Sequence, residues 1–138
     1  MRTYLFVVLL LAGLACAPTT AAPPERTIAV TVDDLPLNPP SLPVAEQERL
    51  TERLLAAFRE HGVAATGFVN EGKLEAGGEV DPRRVALLER WLDAGHELGN
   101  HTFSHVDLHR VPLSDYQAEV LAGERVTRKL LAERERRP

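Results

Sequence analysis

The chain of 138 residues is poor in cysteine and in aromatic side chains, with one cysteine, one tryptophan, two tyrosines and four phenylalanines. A single cysteine excludes an internal disulfide framework and a Cys-x-x-Cys metal knuckle. Aromatic residues make up 5% of the chain, which is thin for a carbohydrate-binding module that works by ring stacking. Positive charge is also in short supply: 16 lysines and arginines against 20 aspartates and glutamates give a formal net charge of −4. With an acidic balance and no basic stripe, nucleic acid is not an expected partner. The length allows one domain and excludes a large multidomain enzyme. Charged residues at 26% and hydrophobic residues at 44% are ordinary for a globular protein, so neither wholesale disorder nor a coiled coil is indicated. Composition therefore names no function, and short motifs have to.

Residues 1–22 read as an exported protein's signal peptide. Arg2 supplies a positive charge, residues 5–14 form an almost unbroken apolar run, and small residues follow up to Ala22. The run is long enough for a signal core and too short to span a bilayer. Cys16 closes the stretch Leu11-Ala12-Gly13-Leu14-Ala15-Cys16, which resembles a bacterial lipobox. Two fates are open for it: a lipid anchor on the mature N-terminus, or removal with the peptide after cleavage near Ala21 or Ala22. A membrane is expected as a partner only through that anchor. Both fates place the protein outside the cytoplasm, in the periplasm, the cell envelope or the medium, with residues 23–138 as its partial catalytic-type domain.

That domain reads as strand and helix in alternation. Residues 27–32 (TIAVTV) are rich in β-branched side chains and predict a buried strand ending before Asp33-Asp34. Pro36, Pro39, Pro40 and Pro43 then force a loop. Leu50, Leu54, Leu55 and Phe58 fall at helical spacing within residues 44–61, and Gly62 stops the helix. Residues 64–69 (AATGFV) predict a second strand. Asp81-Pro82 opens a helix with Val85, Leu88 and Leu92 inward and Gly95 at its end. A third strand is expected at residues 97–100. Ser114 with Gln117 forms a capping box, opening a helix through Val120, Leu121 and Leu130. The order β-α-β-α-β-α implies parallel strands with helical crossovers, an α/β architecture. Three such units do not close a barrel of roughly eight strands, and residues 134–138 are hydrophilic where a next strand should begin.

In parallel α/β folds, catalytic groups collect at the carboxyl ends of strands. Asp33-Asp34 follows the first strand, and His101-Thr102-Phe103-Ser104-His105 follows the third. Two histidines at i and i+4 lie on one face of a helical turn, close enough to reach one ion. A carboxylate would complete a three-ligand site open to water, and an adjacent carboxylate could serve as general base. The competing reading is a solvated acidic loop with surface histidines. His61 at a helix end and His96 before a strand end are read as structural, and His109 as a surface or substrate-loop residue. The stretch holding Glu71, Lys73, Glu75 and Glu79 reads as a solvated loop on the same rim.

Thr31-Val32-Asp33-Asp34 resembles the first motif of the polysaccharide deacetylases, the NodB-homology or carbohydrate esterase family 4 domains. His101-Thr102-Phe103-Ser104-His105 resembles their second motif, His-Ser/Thr-x-x-His. Ile28-Ala29-Val30, Ala65-Thr66-Gly67-Phe68-Val69 and Gly95-His96-Glu97-Leu98-Gly99-Asn100 are similar to the flanks of those motifs. The resemblance runs from about Arg26 to the end of the chain. It implies a distorted (β/α) barrel, here truncated to about three βα units. It also implies a divalent metal held by Asp34, His101 and His105, commonly zinc and sometimes cobalt or nickel. Asp33 would be the general base for the attacking water. Thr102 would steady the loop that carries the histidines. The implied reaction removes acetyl groups, as amides or esters, from N-acetylglucosamine-containing or related polysaccharides and oligosaccharides.

The family's third motif, Arg-x-aromatic-Arg-x-Pro, and its last, a Leu-His pair that supplies the general acid, are not found in the places the family has them. Arg136-Arg137-Pro138 lacks the aromatic. The expectation is therefore weak metal binding and little or no turnover by these 138 residues alone. Two other readings stay open: another metal hydrolase on a TIM-like barrel, and a non-catalytic metal- or glycan-binding envelope protein.

Overall fold

The computed structural model describes residues 26–37, 39 and 41–135. The expected signal peptide, Cys16 included, and the final Arg136-Arg137-Pro138 lie outside the described residues. Strand β1 (Val30–Leu35) is followed by helix α1 (Val44–Glu60) and strand β2 (Ala65–Val69). A 3-10 turn (Glu71–Leu74) leads into a short hairpin of β3 (Glu75–Ala76) and β4 (Glu79–Val80). Helix α2 (Pro82–Asp93), strand β5 (Glu97–Asn100), and helices α3 (Leu113–Ala122) and α4 (Arg125–Glu135) complete the order.

Strands β1, β2 and β5 form one parallel sheet in that order. Each strand is added on the same side of the last, with a helix in each crossover. That is the winding of a (β/α) barrel; a doubly wound sheet reverses its strand order. Among the described residues the sheet is an open arc of three strands, in keeping with about three βα units.

β1 lies three residues further along than the sequence predicts. β2 begins at Ala65, which pairs with Val30, so among the described residues no strand lies beside residues 27–29, which stay exposed. At the other end the strand takes in Asp33 and Asp34. The register then slips: Val32 faces Gly67 but Leu35 faces Val69, so β1 carries one extra residue. Such a bulge bends a strand and re-aims the side chains in it.

The core lies between this sheet and its helices. Leu35, Leu55, Ala65, Val69, Leu74, Leu88, Trp91 and Leu130 form one buried cluster. Burying each large member is worth roughly 1.5–3 kcal/mol. Phe58 and His96 stand edge-on to Trp91 at 5.9 and 5.4 Å. α2 starts as predicted, with the Asp81 carboxylate accepting from the Arg83 N–H at 2.9 Å and Pro82 at the first position. Its fully buried residues are Leu87, Leu88 and Trp91; the predicted Val85 and Leu92 are only half-buried at the edge of the cluster. The helix packs against both α1 and β5, so a stripe wider than the one predicted is covered.

The last predicted helix is two helices. Its start is capped by no side chain; Pro112 precedes it, and the Ser114 hydroxyl bonds to Asp115. Val120 and Leu121 are exposed, whereas Leu130 on α4 is buried. The break falls at Gly123, whose backbone lies against residues 102–103. A Cβ there would sit 2.5 Å from the Thr102 carbonyl carbon and 2.8 Å from the Phe103 nitrogen. The glycine, not the capping box, decides how this end of the chain is arranged.

Candidate metal centre

Asp34 reaches the carboxyl edge of the sheet through the β1 bulge. Its φ of 70° lies in the left-handed region, which aspartate tolerates better than most residues. Strand pairing on either side of the bulge holds it there. Its Oδ1 accepts from the Lys73 ammonium at 2.7 Å. That hydrogen bond holds the Asp34 carboxyl below the usual carboxylate range; partial burial opposes the shift, and the Lys73 charge and the nearby His105 and His101 add to it. Asp34 is therefore an anion, the state a metal ligand needs.

The two histidines come from the segment that leaves β5. The His101 N–H donates to the Val69 carbonyl at 2.9 Å, continuing the ladder one residue past the strand. The chain then turns sharply, with Thr102 at φ 65° and His105 at φ 62°. No helical turn is present at residues 101–105, contrary to the reading that spaced the histidines on a helix face. Two left-handed residues bring the rings together instead, 4.7 Å apart and edge to face. For a β-branched residue such as Thr102 this backbone region is costly, of order 1–3 kcal/mol, and persists only where surroundings impose it.

Those surroundings are specific. The Asn100 side-chain oxygen accepts from the Thr102 N–H at 2.7 Å, and the Thr102 hydroxyl accepts from the His105 N–H at 3.1 Å. Asn100 also donates to the Val120 carbonyl at 2.7 Å. The Phe103 N–H donates to the Glu119 carbonyl, and the Glu119 carboxylate accepts from both the N–H and the hydroxyl of Ser104. From the β2 side, buried Asn70 donates its amide to the His101 carbonyl, and the Gly72 N–H donates to the Phe103 carbonyl at 2.9 Å.

Asp34, His101 and His105 each offer a donor atom, and these atoms all lie within 4.8 Å of one another. An ion bonded to each at roughly 2.0–2.2 Å would draw them in slightly. Two imidazoles and one carboxylate are the donor set of open, catalytic-type sites, which leave positions to water. The His105 Nε2 is 3.9 Å from the Asp34 Oδ1, and its side chain is more than half exposed. The residues fit a divalent ion reached from solvent.

Asp33 precedes Asp34 on β1 and is exposed. It is not among the three clustered donors. His96 is buried, its Nδ1 accepting from the Ala65 N–H at 3.3 Å; His61 and His109 are exposed. The stretch read as a solvated loop is more ordered than that. Glu75 and Glu79 belong to the hairpin turned by Gly77-Gly78, both at positive φ. Buried Glu71 accepts from the Val126 N–H, the Thr127 N–H and the Thr127 hydroxyl, satisfying orphan donors at the start of α4. Lys73 is at the site itself. Asn70 was the legible clue, a polar residue one step past the carboxyl end of a buried strand. Nothing in the spacing points to Lys73 or Glu119.

A family model described as polysaccharide deacetylase matches residues 20–137. A peptidoglycan-N-acetylglucosamine deacetylase from Bacillus cereus is 28% identical over 106 residues, covering 77% of this chain and 32% of that protein. A chitooligosaccharide deacetylase from Bradyrhizobium sp. is 32% identical over 103 residues, covering 75% of this chain and 39% of that protein. The solved chitin deacetylase of Colletotrichum lindemuthianum matches with a TM-score of 0.51 at 28% identity, over 71% of this chain and 39% of that one. The chain thus spans 32% to 39% of the length of these curated relatives.

Proposed function

The chain belongs to the polysaccharide deacetylase family, and from that premise we propose that it carries the metal site and the base of an exported hydrolase that removes acetyl groups from N-acetylglucosamine-containing polysaccharides. The observation that carries this is the convergence of Asp34, His101 and His105 at the carboxyl edge of one parallel sheet. The substrate class follows the relatives, whose names give peptidoglycan and chitooligosaccharides as what they deacetylate. Asp34, His101 and His105 hold the ion, with zinc the best match to two imidazoles and a carboxylate, and cobalt or nickel as alternatives. A divalent ion held there would supply Lewis acidity toward a water and an acetyl carbonyl.

Asp33, adjacent on β1 and open to solvent, takes the proton from the attacking water. Thr102 holds His105 in place through its hydroxyl. The signal-like residues 1–22 support export, and the mass of the mature protein decides whether Cys16 carries lipid.

The test loads the chain with zinc and follows acetate release from N-acetylglucosamine oligomers. Up to one zinc per chain is expected, weakly held and lost in His101→Ala. Acetate release, expected to be slow at best from these 138 residues, should vanish in Asp33→Asn while zinc is retained. Zinc together with tight glycan binding and no trace of acetate release would point instead to a metal- or glycan-binding envelope protein. Turnover confined to phosphate or cyclic amide substrates would point to another metal hydrolase. No zinc binding at all would sink the site.

A further inference from the structure

Lys73 has no part in the function proposed above, yet its ammonium lies 2.7 Å from the Asp34 carboxylate. We propose that Lys73 is a built-in competitor for the metal: its ammonium and a divalent cation contend for Oδ1 of Asp34, so Lys73 sets how tightly the site is loaded. This rests on the metal-site reading and deepens it.

Three observations carry the inference. The oxygen that accepts from Lys73 at 2.7 Å is the one that lies 3.9 Å from His105 Nε2, so the ammonium and that histidine meet the same carboxylate oxygen. The backbone under Lys73 is fixed. Its N–H donates to the Asn70 carbonyl at 3.0 Å and its carbonyl accepts from Arg84 at 2.8 Å. Its neighbours are fixed too, because Glu71 and Leu74 are buried and Gly72 is bonded to Phe103. The charge is thus delivered to one place, and only the flexible four-carbon stem can swing it away.

The sign of the effect follows from what orients Asp34. Where a partner group orients a ligand, its loss weakens metal binding by roughly 10–100-fold. Here the bulge, with strand pairing on both sides, already sets the Asp34 backbone. Lys73 also donates to the Asp34 carbonyl at 3.4 Å, a long contact to a backbone the strand already sets, and what its charge adds is repulsion of a divalent ion at a partly dried site.

Zinc alone, titrated into the full chain against a chelating dye, tests this. Lys73→Met, which removes the charge and keeps the bulk, is expected to tighten zinc binding by about tenfold or more. Lys73→Arg, which keeps the charge, is expected to stay near the parent value. Circular dichroism confirms that both variants are folded. Equal or weaker binding by folded Lys73→Met overturns the inference while leaving the site intact, provided His101→Ala still abolishes binding. A parent chain that binds no zinc overturns both.

Discussion

The two sides of the molecule are held together by different physics. On the wall formed by α1, β2 and α2, the contacts are mostly apolar: Val69, Leu87 and Leu88 have no exposed surface and Trp91 has 1%, with the polar Gln47 and Thr51 of α1 also buried. On the rim formed by residues 100–105 and α3, no residue of α3 is buried and Leu113 and Leu121 stay about two-thirds exposed. The rim is ordered instead by directional bonds, from Asn100 to Val120, from Phe103 and Ser104 to Glu119, and from His105 to Thr102. Burial is non-directional and tolerates small shifts. A hydrogen bond specifies an atom and an angle. The wall should therefore govern whether the chain folds, and the rim should govern where the histidines stand once it has. Perturbing each side should separate stability from metal affinity.

The largest effect is expected on the wall. Trp91→Ala removes the ring that meets Phe58 and His96 and leaves a cavity at the centre of the cluster. Urea unfolding should show a loss of about 3–5 kcal/mol. Zinc affinity, measured on the fraction that remains folded, should be unchanged. A parallel loss of affinity in the folded fraction would mean that the wall also positions the donors.

Gly123→Ala is expected next, because it strikes where the two sides meet. The added carbon would lie within 3 Å of three backbone atoms of Thr102 and Phe103, which cannot rotate away as a side chain could. Overpacking of this kind costs about 1–3 kcal/mol. Relief of the clash must move the residue next to His101, so zinc affinity should fall as well. A stability loss with normal zinc binding would show that α4 yields and the rim does not.

The same division explains what the sequence made legible. The three donors stood out because aspartate and histidine are chemically distinctive and follow strands, and the sheet brings strand ends together. The second strand, the Asp81-Pro82 cap and Leu54, Leu55 and Phe58 of α1 marked the wall, because burial writes a periodic pattern, whereas the buried Gln47 and Thr51 of α1 carry no such mark. The rim is written in backbone angles. Nothing in His-Thr-Phe-Ser-His announces two left-handed residues, so a helical turn was the natural expectation and was wrong. Lys73 reaches Asp34 across 39 positions of sequence from a 3-10 turn whose residues show no periodicity. The Gly123 break depends on how closely another segment approaches, which no local pattern records.

Thr102→Val is the smallest change and the sharpest probe of the rim. Valine keeps the branched shape and the same backbone demand while removing the oxygen that accepts from the His105 N–H. A typical hydrogen bond contributes about 0.5–1.5 kcal/mol net. His105 is exposed, so water can take over its N–H, and the stability loss should sit at or below the low end of that range. The left-handed conformation of His105 then loses a restraint, and its ring samples positions away from Asp34 and His101. Zinc affinity should fall roughly tenfold, the usual scale for losing an orienting partner. Thr102→Ser restores the oxygen and should restore the affinity. A Thr102→Val chain that unfolds readily but binds zinc normally would invert the division, making the rim a source of stability and not of geometry.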